Sequence, residues 1–143
     1  MGGIFFPKNN NNNHDNQNDN NPSDSIDIIG SITNSSTGCC FTCKECFGGP
    51  TLIQNDSGYI INQNCQTCIN DYYLLFDTND CYNSSIKELG YYLSSNDSKF
   101  HKCDIACSKC EKGYESYNTN CLECNLEDNF YPLFGKESNC FNN

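Results

Sequence analysis

Apolar residues in this chain come in short runs that do not extend into a helical stripe, and most of them end at a cysteine. Tyr59-Ile60-Ile61 runs into Cys65, and Tyr72 to Phe76 runs to Cys81, each bounded by Asn, Asp or Gly. Such runs predict short strands, here paired as a ragged ribbon. Gly90-Tyr91-Tyr92-Leu93 predicts one more strand inside a stretch without cysteine. Ser84 to Leu93 is the best candidate for a helical turn or two, and no long amphipathic helix is expected. Ile26, Ile28, Ile29 and Ile32 predict a short strand in a linker that packs on the cysteine-bearing region after it, or else offers an edge to a neighbouring sheet. Residues 9 to 21 hold nine Asn with His14, Asp15, Gln17 and Asp19, which cannot bury apolar surface. Residues 1–21 are therefore expected to form a disordered arm with His14 solvated.

The cysteines change this picture from scattered strands to a repeated frame. C103-x3-C107-x2-C110-x10-C121-x2-C124-x15-C140 follows C39-x3-C43-x2-C46-x18-C65-x2-C68-x12-C81 at a distance of 64 residues, with the spacers in the same order. Gly58-Tyr59 precedes Cys65 much as Gly113-Tyr114 precedes Cys121, and only Cys40 of the thirteen cysteines has no cysteine counterpart. Self-similarity of this kind marks two copies of one unit. The division expected is an arm over 1–21, an apolar linker over 22–38, a first unit over 39–81, a spacer over 82–102 and a second unit over 103–143. Around Cys39, Cys43 and Cys46 the spacing is too tight for an ordinary helix or hairpin, so a knot of loops is expected there.

Composition says why the cysteines matter. With 143 residues, 36% hydrophobic, no Trp and one Met, the chain is poorly supplied for a large apolar core. In the chain-entropy model a disulfide closing a loop of about 15 residues contributes about 3 kcal/mol, which suits two small units. The nine Tyr and nine Phe mostly stand near cysteines, where each is expected to cover a bridge. Eight Lys, no Arg and eighteen acidic residues give a net charge of −10, which repels phosphate backbones and anionic membrane surfaces. Nucleic acid is set aside as a partner, the more so because Arg reads phosphates bidentately.

Asn34, Asn55, Asn83 and Asn96 begin N-x-S/T sequons outside the tight cysteine clusters, where glycosylated loops would lie. Met1 to Lys8 has no apolar stretch of signal-peptide length, so the chain is read as a fragment or as one whose signal has been trimmed. Phe6 stands where a myristoylation signal needs Ser or Thr. No segment approaches 18 apolar residues, so no membrane insertion is expected in this segment.

Three chemistries compete for the cysteines. Cys43, Cys46, Cys65 and Cys68, or Cys107, Cys110, Cys121 and Cys124, could each supply four thiolates to zinc. That leaves Cys39, Cys81, Cys103 and Cys140 idle, whereas disulfides use all six per unit. A redox dithiol needs a C-x2-C at a helix N-terminus after a strand, and four such motifs without helices do not fit. His101 has no evident nucleophile or metal partner, and the acids form no recurring pair. Asp77 and Asp80 are read as solvated loop acids before calcium ligands. No catalytic site and no cofactor are expected.

With these spacings and the Gly-Tyr openings, residues 39 to 140 resemble furin-like repeats, the cysteine-rich repeats of growth-factor receptors, and also the tandem repeats of cysteine-rich surface proteins of protists. The resemblance implies a small disulfide-rich fold: an elongated rod of two furin-like units, short strands and loops, little helix. It implies bridges Cys39–Cys46, Cys43–Cys65 and Cys68–Cys81, then Cys103–Cys110, Cys107–Cys121 and Cys124–Cys140. The family often has a cysteine where Ser85 stands, so the spacer is expected to be freer here. Cys40 beside Cys39 leaves open which of the two enters the first bridge; the other is expected to be available for an intermolecular link. The chain is thus expected to be an extracellular or cell-surface, non-enzymatic structural or recognition module. Its partners would be other extracellular proteins or copies of itself, with N-linked glycans. The alternative is an intracellular zinc-binding adaptor.

Overall fold

The computed structural model describes residues 4–7 and 22–142, with side chains from Asp27 onward. It is a small, strand-rich, disulfide-bonded fold with little helix. The strands in chain order are β1 (Ile4–Pro7), β2 (Cys43–Cys46), β3 (Thr51–Asn55), β4 (Gly58–Asn62), β5 (Cys65–Cys68), β6 (Tyr73–Leu74) and β7 (Cys81–Tyr82). They continue as β8 (Tyr91–Leu93), β9 (Phe100–Lys102), β10 (Cys107–Cys110), β11 (Cys121–Cys124), β12 (Tyr131–Leu133) and β13 (Lys136–Phe141). Among the described residues one α-helix, α1 (Pro22–Ile32), and two 3-10 turns, Ser84–Leu89 and Leu126–Asp128, accompany them.

The chain divides into two compact units: one runs to Ile69 and regains Asp77–Cys81, and the other takes Asn70–Phe76 and Tyr82 onward. The spacer over 82–102 thus belongs to the second unit. It packs within that unit without the bridge that a cysteine at Ser85 would offer. Ile86 from the 3-10 turn packs with Leu75 and Phe100, and β8 pairs antiparallel with β9. A ring and two branched side chains are buried there, which stabilises the folded segment.

In the first unit, β2 and β5 form an antiparallel pair, with Cys43 opposite Cys68 and Cys46 opposite Cys65. The expected knot of loops is therefore half of a hairpin closed by residues far along the chain. β4 lies between β3 and β1, with Ile61 opposite both Leu52 and Ile4. The strand at Tyr59-Ile60-Ile61 is present, but its partners are Thr51–Asn55 and Ile4–Pro7 rather than Tyr72 to Phe76. Asn55-Asp56-Ser57-Gly58 supplies the tight turn, with Asn55 Oδ1 accepting from the N–H groups of Ser57 and Gly58, so the nearest partner wins. Four residues of the expected arm are in this sheet; residues 1–3 and 8–21 lie outside the described residues.

The linker is a second correction, a helix where a strand was expected. Ile26, Ile29 and Ile32 recur every three residues, which suits a helix face better than alternation, and Pro22 stands at the first helical position. Ser31 and Thr33 donate side-chain hydrogen bonds back to the carbonyls of Ile28 and Ile29 near its end.

In the second unit β10 and β11 repeat the β2–β5 pairing, Cys107 opposite Cys124 and Cys110 opposite Cys121, with the same irregularity at Lys109 as at Glu45. β12 and β13 close the final loop. Its core is Cys103, Ala106, Cys107, Cys110, Cys121 and Cys140, with Tyr92 and Phe130 packed against it. Rings cover bridges there, but not generally: Phe47, Phe76, Tyr117 and Phe134 are exposed.

Candidate functional site

The cysteine frame is the chemically distinctive part of the molecule. Six disulfides join Cys39 to Cys46, Cys43 to Cys65, Cys68 to Cys81, Cys103 to Cys110, Cys107 to Cys121 and Cys124 to Cys140. In both units the first cysteine bonds the third, the second the fourth and the fifth the sixth, and corresponding Cα separations agree: 5.8, 5.1 and 5.7 Å against 5.8, 5.1 and 5.6 Å. Nine of the twelve bonded cysteines are buried, and Cys46, Cys68 and Cys124 are half-buried. Bridges this dense form and persist in oxidising compartments.

Around each frame runs the same set of hydrogen bonds, which the sequence reading missed. The residue after the third cysteine donates to the Asn before the fourth: Phe47 N to Asn64 O at 2.9 Å, Glu111 N to Asn120 O at 3.1 Å. Both asparagines hold a left-handed backbone, φ 60° and 54°. Their amides donate to Gly49 O at 2.8 Å and Gly113 O at 2.7 Å. Asn tolerates that conformation better than most residues.

A reciprocal pair then ties the fourth cysteine's strand to the sixth. In the first unit Gln63 N donates to Asp80 Oδ1 at 2.8 Å, while Cys81 N donates to Gln63 Oε1 at 2.7 Å. In the second unit Thr119 N donates to Asn139 Oδ1 at 3.2 Å, while Cys140 N donates to Thr119 Oγ1 at 3.0 Å. The available signal was a polar residue two places before the fourth cysteine and another just before the sixth, in both copies.

Asp80 is accordingly not a solvated loop acid. It is 2% exposed, and its Oδ2 has no hydrogen-bond partner among the described residues. Burial pushes its carboxyl above the ordinary value, and the hydrogen bond from Gln63 opposes that. Asp77 is exposed. Among the described residues no three His, Cys, Asp or Glu are grouped to hold a metal ion.

Cys40 is the free thiol, and Cys39 makes the first bridge. The expected intermolecular link is corrected by burial: Cys40 is 2% exposed, its backbone bridges to Thr33, and the Thr42 hydroxyl donates to its sulfur at 3.3 Å. A sulfur so covered packs as a small apolar group. The position matching Cys40 is Asp104, each supplying the carbonyl that accepts from the second cysteine's N–H.

His101 is held by an acid and two rings. Its Nε2 lies 2.8 Å from Asp97 Oδ2, and its ring stacks on Phe76 at 4.6 Å and on Tyr92 at 5.8 Å between centroids. His14 lies outside the described residues. Of the sequons, Asn34 and Asn55 are exposed where turns begin, and Asn96 is exposed within one. Asn83 is half-buried: it caps the 3-10 turn through Oδ1, and its amide donates to the Tyr72 hydroxyl at 3.4 Å.

Compared with protein-family models, with curated proteins and with solved structures, the chain shows no significant match. Among the described residues no helix is long and apolar enough to cross a membrane.

Proposed function

We propose that this chain is an extracellular, non-enzymatic, cysteine-rich structural or recognition module of a cell-surface coat, receptor-like ectodomain or extracellular assembly, built from two furin-like units. The observation that carries this reading is the use of the cysteines. Twelve are bonded in one pairing scheme repeated twice, and the thirteenth is buried. The sulfurs are thus structural, and His101 is engaged in a ring stack and a hydrogen-bonding contact with Asp97. What the frame leaves outward is contact surface, including Phe47, Tyr117, Leu122 and Phe134. Glycans would sit on Asn34, Asn55 and Asn96, whose turns leave room for them, more readily than on Asn83.

The zinc adaptor requires the same C-x2-C cysteines as free thiolates, so a thiol count tests both readings at once. The protein, secreted from a eukaryotic host, is denatured without reductant in the presence of a chelator and titrated with a thiol reagent. One thiol per chain is expected. Thirteen would overturn the proposal and restore the zinc reading.

A further inference from the structure

The second unit carries a cleft of about 810 Å³ that the disulfide frame does not need. Leu122 on β11, Leu126 on the 3-10 turn and Pro132 on β12 line it, together with Glu123, Glu127 and Glu137. Leu122 and Leu126 are 67% and 59% exposed. These two leucines and Pro132 give the cleft an apolar floor. Glu123 is partly neutralised, its Oε1 lying 3.7 Å from Lys109 Nζ. The side-chain carboxylates of Glu127 and Glu137 have no hydrogen bond or ion pair among the described residues, so two carboxylates beside an apolar floor are uncommitted.

We infer that this cleft docks a basic, apolar-bearing segment of a second protein: an extended stretch that places a Leu- or Phe-like side chain against Leu122, Leu126 and Pro132, with flanking Lys or Arg at Glu127 and Glu137. Charge selects this occupant. A second copy of the chain would bring a net charge of −10 against −10, with no Arg to offer, and long-range repulsion opposes that encounter. A basic segment is steered toward the same surface, and its apolar side chain supplies the burial that holds it.

The inference rests on the recognition-module reading, and the two fail separately. The oxidised chain, labelled with 15N and shown to carry one free thiol, is titrated with acetyl-Lys-Leu-Phe-Lys-amide and, in parallel, with acetyl-Glu-Leu-Phe-Glu-amide while amide shifts are followed. Saturable shifts centred on Leu122, Leu126 and Glu127 are expected with the basic peptide alone. Glu127→Gln and Glu137→Gln should each weaken binding about two- to fivefold, the scale of an exposed ion pair. Leu126→Ser, at an exposed position, should abolish saturation while leaving the thiol count at one. Shifts that spread over the acidic surface without saturating, equal binding of the acidic peptide, or a concentration-dependent dimer dissolved by Leu126→Ser would overturn the docking proposal. The thiol count alone bears on the module reading.

Discussion

The two units solve one problem with different residues at the position before the sixth cysteine. Asn139 and Asp80 both accept a hydrogen bond from the backbone two places before the fourth cysteine, but only Asp80 brings a charge into the interior. A buried carboxylate with one oxygen unpartnered costs free energy that the neutral amide does not. This fixes the sign of the pH effect. Burial raises the folded-state pKa of Asp80 above its ordinary 3.8, so the folded state holds the proton more tightly than the unfolded chain. The penalty is absent below about 3.8, the unfolded-chain value, and is fully present once pH exceeds the folded value. Asp80→Asn, which gives the first unit the side chain the second already uses, should therefore unfold at higher denaturant than the parent at pH 7. That advantage should shrink toward pH 4, with disulfides intact in both proteins. A parent that gains on the variant as pH rises from 4 to 7 would contradict this account.

Among the elements, the 3-10 turn Ser84–Leu89 shows how much a single backbone position decides. Gly90 ends it at φ 92°, its N–H donating to Lys87 O and its carbonyl accepting from Cys103 N at 2.9 Å. A Cβ there would meet Ser108 O at 3.2 Å, and that atom is backbone. Gly90→Ala should cost about 1–3 kcal/mol in chemical denaturation, and Gly90→Asn, better suited to a left-handed backbone, should cost less. Equal stability of all three proteins would show that the turn yields. The Gly-Tyr opening at residues 90 and 91 was legible in the sequence, as were the short strand after it and the helical turn near Ser84, because turn formers and apolar runs act locally. Partners were harder to read. Gly58–Asn62 pairs with the strand just before it because Asn55 shapes a tight turn, a preference that apolar runs alone do not record. The helix at Pro22–Ile32 was missed because four isoleucines within seven residues satisfy alternation and a three-residue period at once. The hydrogen bonds around the frame were written at Gln63, Asn64 and Asp80 and again at Thr119, Asn120 and Asn139. A comparison restricted to cysteines and aromatic rings passes over them.

For the whole molecule the deciding fact is what the interior is made of. Among the residues whose side chains are described, fifteen hydrophobic ones are buried; ten are cysteines, and the other five are Ile61, Leu75, Ile86, Phe100 and Ala106. Apolar side chains other than cysteine are thus sparse in the described interior, while fixing each residue costs about 1–2 kcal/mol. The bridges act on the other side of the balance, by removing conformations from the unfolded state, at typically 2–4 kcal/mol each. Six of them supply, in simple addition, about as much as or more than the roughly 5–15 kcal/mol by which a folded domain is usually stable. The native state should therefore depend on sulfur oxidation rather than on apolar burial. Full reduction in native buffer, without denaturant, should collapse the amide chemical-shift dispersion of both units, and reoxidation should restore it along with a single free thiol. Removing one bridge should discriminate by loop length. Replacing Cys43 and Cys65, which close a separation of 22 residues, should cost about 1 kcal/mol more than replacing Cys39 and Cys46, which close 7. A reduced chain that kept a dispersed spectrum would mean that the hydrogen bonds around Gln63 and Thr119 and the small Leu75, Ile86 and Phe100 core hold the fold alone, and the sulfur-based account of its stability would then be wrong.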